Sequence, residues 1–253
     1  MILRQLLHTN PAIAASYVFG CGSKSIGAVV DPIAHPRFYL DAAADLGMKV
    51  RYVIETHVHA DHLSTGRDLA DAAGATYVLH ESVDATFPYQ RVDDGDRLEL
   101  GNTLIEIMHL PGHTPEHIGL LVTDRVRSNE PWFVISGHTL MVGDMGRTEL
   151  ASSAEEGARA LFESARRLKR LADHIEVLPG AFSGSVCGRG LSGKTTSTIG
   201  FERRFNKAFS IEDRQAFIDF MVRDIPLPPP NAAANRSRNL GRQLEVESLV
   251  TVA

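Results

Sequence analysis

The sequence predicts an α/β fold in which two mixed sheets pack face to face and helices cover their outer surfaces. Short apolar runs rich in Val, Ile and Tyr recur along the chain, more of them than a doubly wound parallel sheet would use. Some of these runs are separated by helical patterns and others only by tight turns, so parallel and antiparallel pairing are both expected. With 253 residues and 43% hydrophobic content, the chain can bury one large core of this kind. A single domain over residues 1–253 is therefore expected, with an extended tail from about residue 225.

Taken in order, "ASYVFGC" and "IGAVVDP" read as paired strands, "HPRFYLDAAADLG" as a helix and "KVRYVIET" as a buried strand. "STGRDLADAAG" follows as a helix, with Ser64 expected as its N-cap and Gly74 as its stop, and "ATYVLH" supplies the next strand. "DRLELGNTLIEIMHL" reads as two strands joined by a turn at Gly101 and Asn102; "HIGLLVTD" and "PWFVISG" continue the sheet pattern. A long helix over "SAEEGARALFESARRLKRLAD", a strand at "IEVLPG" and helices around "TIGFERRFNKAF" and "IEDRQAFIDFMVRD" complete the body. The Pro-rich "IPLPPPN" and the polar residues after it are expected to lie extended on the surface, long enough to reach a neighbouring subunit in a homo-oligomer.

A net charge of −5 without a run of like charges gives no reason to expect nucleic acid or an anionic membrane as partner. No apolar run is long enough to span a bilayer, and the N-terminus lacks the pattern of a signal peptide, so a cytoplasmic protein is expected. Two cysteines, Cys21 and Cys187, cannot form a disulfide framework, which agrees with a reducing compartment.

The chemistry concentrates in "ETHVHADHLSTG", where His57, His59, Asp61 and His62 follow a strand. Histidines two apart in extended chain face the same way, so His57 and His59 can share one ion; Asp61 and His62 join only if the chain turns. Imidazole suits zinc and iron, and a carboxylate adds a harder ligand.

"THVHADH", followed by "LPGHTPEH" and "VISGHTLMVGDMGRTEL" in this order, resembles the metallo-β-lactamase superfamily over nearly the whole chain. "GDMGRTEL", "GSVCG" and "STIGFERRFNKAF" resemble its persulfide dioxygenase branch, whose members are often fused to a rhodanese domain. The resemblance implies an αββα sandwich with its metal site at one edge of the two sheets. It also implies one Fe(II) held by His57, His113 and the position occupied here by His138, where the branch carries aspartate. A second departure is Ala181, which stands where the branch has the histidine that completes a second metal site. A second metal would be left with Asp61, His62 and His138. Asp144 is expected beside the metal, bracing a ligand or ligating directly.

Carried through, the resemblance implies a dioxygenase that oxidises a low-molecular-weight persulfide such as glutathione persulfide to sulfite and thiol, with a rhodanese as partner. One alternative set, His57, His59 and His113, suits Zn(II) with an open water position and Asp61 as base, hence a glyoxalase II-like hydrolase of thioesters or lactones. A relative without turnover is the third reading, motivated by His138 and Ala181. Arg147 is expected either to hold the carboxylate of a glutathione-like substrate or to brace its loop against Asp144 or Glu149. Cys187, in the Gly-rich "FSGSVCGRG", is expected to line the pocket or to pack beneath it.

Overall fold

The computed structural model describes residues 1–225 and 227–242. Its two sheets have six strands each. The first runs in the order β1 (Ile2–His8), β2 (Ala14–Cys21), β3 (Ile26–Val30), β4 (Lys49–Ile54), β5 (Thr76–His80), β6 (Gln90–Val92). It is antiparallel from β1 to β3 and parallel from β3 to β6. The second runs from β7 (Arg97–Leu100) through β8 (Thr103–His109), β9 (Ile118–Asp124), β10 (Phe133–Gly137) and β11 (Glu176–Pro179) to β12 (Ser197–Thr198). All its pairs are antiparallel except β10 with β11.

Strand alternation assigns the layers. Tyr17 and Phe19 of β2, Val30 of β3 and Ile54 of β4 pack with Ile105, Ile107, Leu120, Val122, Phe133 and Ile135 of the second sheet, forming the central core. The intervening Val18, Val29 and Val53 turn outward onto Tyr39 of α1 (Pro36–Asp45) and Leu69 of α2 (Gly66–Ala73). Met108, Leu121 and Val134 likewise face Leu161 and Phe162 of α3 (Ala154–Leu168) and Phe217 of α5 (Arg214–Val222). Because side chains alternate between faces, near-continuous apolar strands are what a sheet buried on both sides requires. The result is the four-layer αββα arrangement.

Helix ends follow local chemistry, with one correction. Ser153 caps α3 in a reciprocal capping box with Glu156, and α2 stops at Gly74, whose φ is +60°. The N-cap of α2 is Thr65, not Ser64; the Ser64 hydroxyl accepts from the Gly66 N–H but itself donates to Glu55.

Between α3 and α5 lies α4 (Ile199–Phe205), and after the prolines comes α6 (Ala232–Asn239). The segment expected to lie extended thus includes a helix folded back onto the loop after β4. Part of that expectation, at residues 226 and 243–253, lies outside the described residues.

Candidate metal centre

The central histidines meet where β4, β8 and β10 end. Ring centroids lie 4.8 Å apart for His57 and His113, 4.8 Å for His57 and His138, and 4.9 Å for His113 and His138. One nitrogen from each falls within 4.8 Å of the others, and all three residues are buried.

Hydrogen bonds fix which nitrogen each ring offers. Thr56 Oγ1 donates to Asp31 Oδ2 at 2.8 Å, so it accepts from His57 Nδ1 at 2.9 Å. That leaves His57 Nε2 with a lone pair, buried and without a hydrogen-bond partner among the described residues. His113 Nδ1 donates to the Arg147 carbonyl at 2.8 Å, which directs Nε2 toward His138 Nδ1, 3.2 Å away. A metal-binding imidazole held at its far nitrogen by a backbone or side-chain acceptor has its tautomer and angle set in advance.

His117 behaves differently. Its Nε2 accepts the His138 backbone N–H at 3.0 Å and its Nδ1 donates to Thr139 Oγ1 at 3.0 Å, whose own hydroxyl donates to the Leu110 carbonyl. With both nitrogens engaged and its ring stacked on His57 at 5.0 Å, it supports the site and does not ligate. Gly137, at φ +51°, makes room for it: a Cβ there would stand 2.5 Å from His117 Nε2.

A second group joins His59, Asp61 and His62. His59 Nε2 donates to Glu55 at 3.1 Å and Asp31 at 3.3 Å, while His62 Nδ1 donates to Asp61 Oδ1 at 2.9 Å. His59 Nδ1, Asp61 Oδ2 and His62 Nε2 are left buried without hydrogen-bond partners among the described residues. Burying such atoms unpaired costs free energy, and a cation removes that cost for all of them at once. The donors present therefore fit a metal.

The charge states agree for the set of His57, His113 and His138. Burial, reinforced by neighbouring imidazoles, holds His57, His113 and His117 well below the usual histidine range, and burial lowers His138 to about 4. These rings are neutral at pH 7, the form a metal needs. Burial would lower His59 too, but hydrogen bonds and charge from Asp31 and Glu55 outweigh it and raise the ring well above its ordinary value. Burial opposes ionisation of Asp61, and the neighbouring His62 more than reverses this, so its carboxyl lies well below the usual range.

Cys187 is buried, and its sulfur lies within 4.8 Å of ligand atoms of Asp61 and His138. It lines the centre. Burial first, then the Asp61 charge, push its thiol up. The Arg147 guanidinium pairs with Glu149 and donates to the carbonyls of Val186 and Leu227, each at 3.0 Å. Of the two expectations for Arg147, the loop brace matches the contacts. Asp144, expected either to brace a ligand or to ligate directly, belongs to none of the metal-capable groups found among the described residues. Its carboxylate accepts from the N–H groups of Met145 at 2.9 Å, Arg189 at 3.0 Å and Gly190 at 3.1 Å, and so secures the 189–190 turn. Ala181 is buried and offers no ligand atom.

Sequence reasoning missed the polar lid on the loop. Asn239 of α6 donates to the carbonyls of His59 and His62, each at 2.9 Å, and accepts from Ser64 N–H at 3.0 Å. Asn235 donates to the Ala60 carbonyl, and Arg236 to the Val58 carbonyl and Glu116. A cleft of about 220 Å³, lined in part by Ile13, Asp61, Val186 and Pro229, opens beside the centre. The cleft of about 430 Å³ at Asp144 and Arg189 includes none of the clustered histidines.

Residues 10–180 match the profile of the metallo-beta-lactamase superfamily. A metallo-beta-lactamase from Staphylococcus aureus superposes with a TM-score of 0.88 and 33% identity, covering 94% of this chain and 72% of its own. ETHE1 from Myxococcus xanthus gives 0.81 and 27% identity, covering 96% of this chain and 100% of its own. The hydroxyacylglutathione hydrolase of Acaryochloris marina is 29% identical over 177 residues, 68% of this chain and 66% of that protein. The chain spans about half to two-thirds of the length of such curated relatives. No helix among the described residues is long and apolar enough to cross a membrane.

Proposed function

The chain belongs to the metallo-beta-lactamase superfamily, and on that premise we propose that it is an iron-dependent dioxygenase of low-molecular-weight persulfides. The observation that carries the reading is the convergence of His57, His113 and His138 while Ala181 withholds the ligand a two-metal hydrolytic centre would use. Full-length overlap with ETHE1 and the persulfide dioxygenase-like segments of the sequence support it.

In this reading His57, His113 and His138 hold Fe(II). The ion, when bound, supplies the redox chemistry that lets O₂ react with a closed-shell sulfur compound. The overall reaction takes one persulfide, one O₂ and one water to one thiol and one sulfite. The outer sulfur loses four electrons, and O₂ gains them. The chain's own residues orient and shield. Thr56 and the Arg147 carbonyl set the ring angles of His57 and His113. Asp61, held ionised and lining the cleft, is placed to accept a hydrogen bond from the bound substrate. The apolar rim of Ile13, Val186 and Pro229 limits water near the reacting sulfur.

Oxygen uptake with glutathione persulfide, on anaerobically iron-reconstituted protein of measured metal content, tests the proposal. Uptake with sulfite formation is expected; no uptake from iron-loaded protein would overturn it. A second reading, a mononuclear Zn(II) hydrolase using His57, His59 and His113, is favoured by the unpartnered His59 Nδ1 and by similarity to hydroxyacylglutathione hydrolases. Retention of metal by His59→Ala would remove it.

A further inference from the structure

His138 belongs to two groups of donors. Besides the set with His57 and His113, it forms a compact set with Asp61 and Cys187: a carboxylate oxygen, an imidazole nitrogen and a sulfur within 4.8 Å of one another. The fold holds all three in place. The Cys187 carbonyl accepts the Arg147 N–H at 3.1 Å, and the Arg147 side chain donates to Val186, so the residue whose carbonyl aligns His113 also anchors the sulfur. The His138 ring lies against Gly180, where a Cβ would come within 2.9 Å of Cδ2. Asp61 has Oδ1 committed to His62, while Oδ2, on a side chain only 2% exposed, has no hydrogen-bond partner of ordinary geometry among the described residues.

A buried carboxylate oxygen without an ordinary partner, within ligand reach of a buried thiol, is poorly satisfied by the thiol's weak donor. A cation that replaces the thiol proton satisfies both. We propose that Asp61, His138 and Cys187 form a site for a thiophilic divalent cation of the zinc type, distinct in its sulfur ligand from the all-histidine set. Binding forms a metal–sulfur bond and releases the thiol proton to solvent. Donors around one zinc ion at ~2.0–2.3 Å stand roughly 3.3–3.8 Å apart, so the set closes by a small contraction. Because His138 is common to both sets, a cation on the sulfur side withdraws a ligand from His57 and His113. The inference thus deepens the proposed function, resting on it for the assignment of iron to those histidines: zinc acts there as an antagonist of iron.

The test is an anaerobic titration of metal-free protein with Cd²⁺, a spectroscopic stand-in for zinc. The wild type is expected to develop a near-ultraviolet sulfur-to-metal charge-transfer band. Cys21→Ser should keep the band, whereas Cys187→Ser should lose it and bind Cd²⁺ at least about ten-fold more weakly. Fe²⁺ affinity, by chelator competition, should change less than about two-fold in Cys187→Ser. If Cys187→Ser does not fold, Asp61→Asn supplies the same reading, with the sulfur present and Cd²⁺ affinity reduced. Absence of the band in wild type, its loss with Cys21, or unchanged Cd²⁺ affinity without Cys187 would overturn the proposal. Those failures leave the oxygen-uptake result untouched, and a failure of oxygen uptake leaves the band intact, so the two claims fall separately.

Discussion

Asn239→Ala tests whether the C-terminal helix sets the geometry of the metal loop. The side chain makes three hydrogen bonds, to the carbonyls of His59 and His62 and from the N–H of Ser64, at 2.9, 2.9 and 3.0 Å. A net hydrogen bond contributes about 0.5–1.5 kcal/mol. These bonds are only partly buried, so the lower half of the summed range applies, about 2 kcal/mol. Alanine leaves the loop backbone between His59 and Ser64 to water, and the side chains it carries lose their shared orientation. If that energy is spent restoring the loop when metal binds, 2 kcal/mol corresponds to about a 30-fold loss of affinity. Competition of Zn²⁺ against a chromogenic chelator reads this directly, and urea unfolding of the metal-free protein reports any global loss. Asn235→Ala, which removes one bond to Ala60, should weaken binding less. Arg238→Ala, on the exposed side of α6, should leave it unchanged. Zinc affinity of Asn239→Ala within two-fold of wild type would refute the reasoning: the helix would then cover the loop without shaping it.

His117→Phe keeps a flat ring against His57 but leaves the His138 N–H without its acceptor, and should cost roughly 1–3 kcal/mol in urea unfolding; an unchanged midpoint would contradict the supporting role. Gly137→Ala combines a φ of +51° with a Cβ 2.5 Å from His117 Nε2, so a loss above about 2 kcal/mol and weaker metal retention are expected, read by thermal unfolding and metal analysis. The metal-free protein should lose stability as pH falls below 6.5. His57, His113, His117 and His138 have folded values beneath that figure, so the unfolded chain takes up their protons first. Each contributes a slope of about 1.4 kcal/mol per pH unit down to its folded value, about 4 for His138. His59 has the opposite sign: its raised value adds stability that is complete below 6.5 and is lost only as pH rises through the folded value. A flat unfolding free energy between pH 7 and 5 would show that the rings are not buried and neutral.

What could be read from the sequence was periodic or clustered. Strands such as β2 and β9, apolar on both faces, announce a sheet covered on both sides, and the crowding at residues 57–62 announces a metal loop. The short edges were not legible. β6 and β12 have three and two residues, too few to display a period, and β1, "ILRQLLH", spaces its leucines as a helix does. Nor was α6: "AAANRSRN" has no apolar face, and its contacts are polar ones across as many as 180 positions. Asp144 shows the same limit inside a motif. Its place six residues after His138 left bracing and ligation both open, and its direction follows from the N–H groups at 189 and 190, more than 40 residues away.

The ligand types are thus encoded, but what aims them largely is not. His113 is aligned by the carbonyl of Arg147, an acceptor that every residue type supplies, so substitution at 147 can leave that bond intact while removing the guanidinium that holds Val186 and Leu227. Any effect of Arg147→Met should therefore reach the centre through the Cys187 loop, with the His57 and His113 rings still in register. An Arg147→Met protein that loses Fe²⁺ before it loses the Cd²⁺–sulfur band would reverse that order, and with it the claim that the arginine side chain serves the sulfur side of the centre.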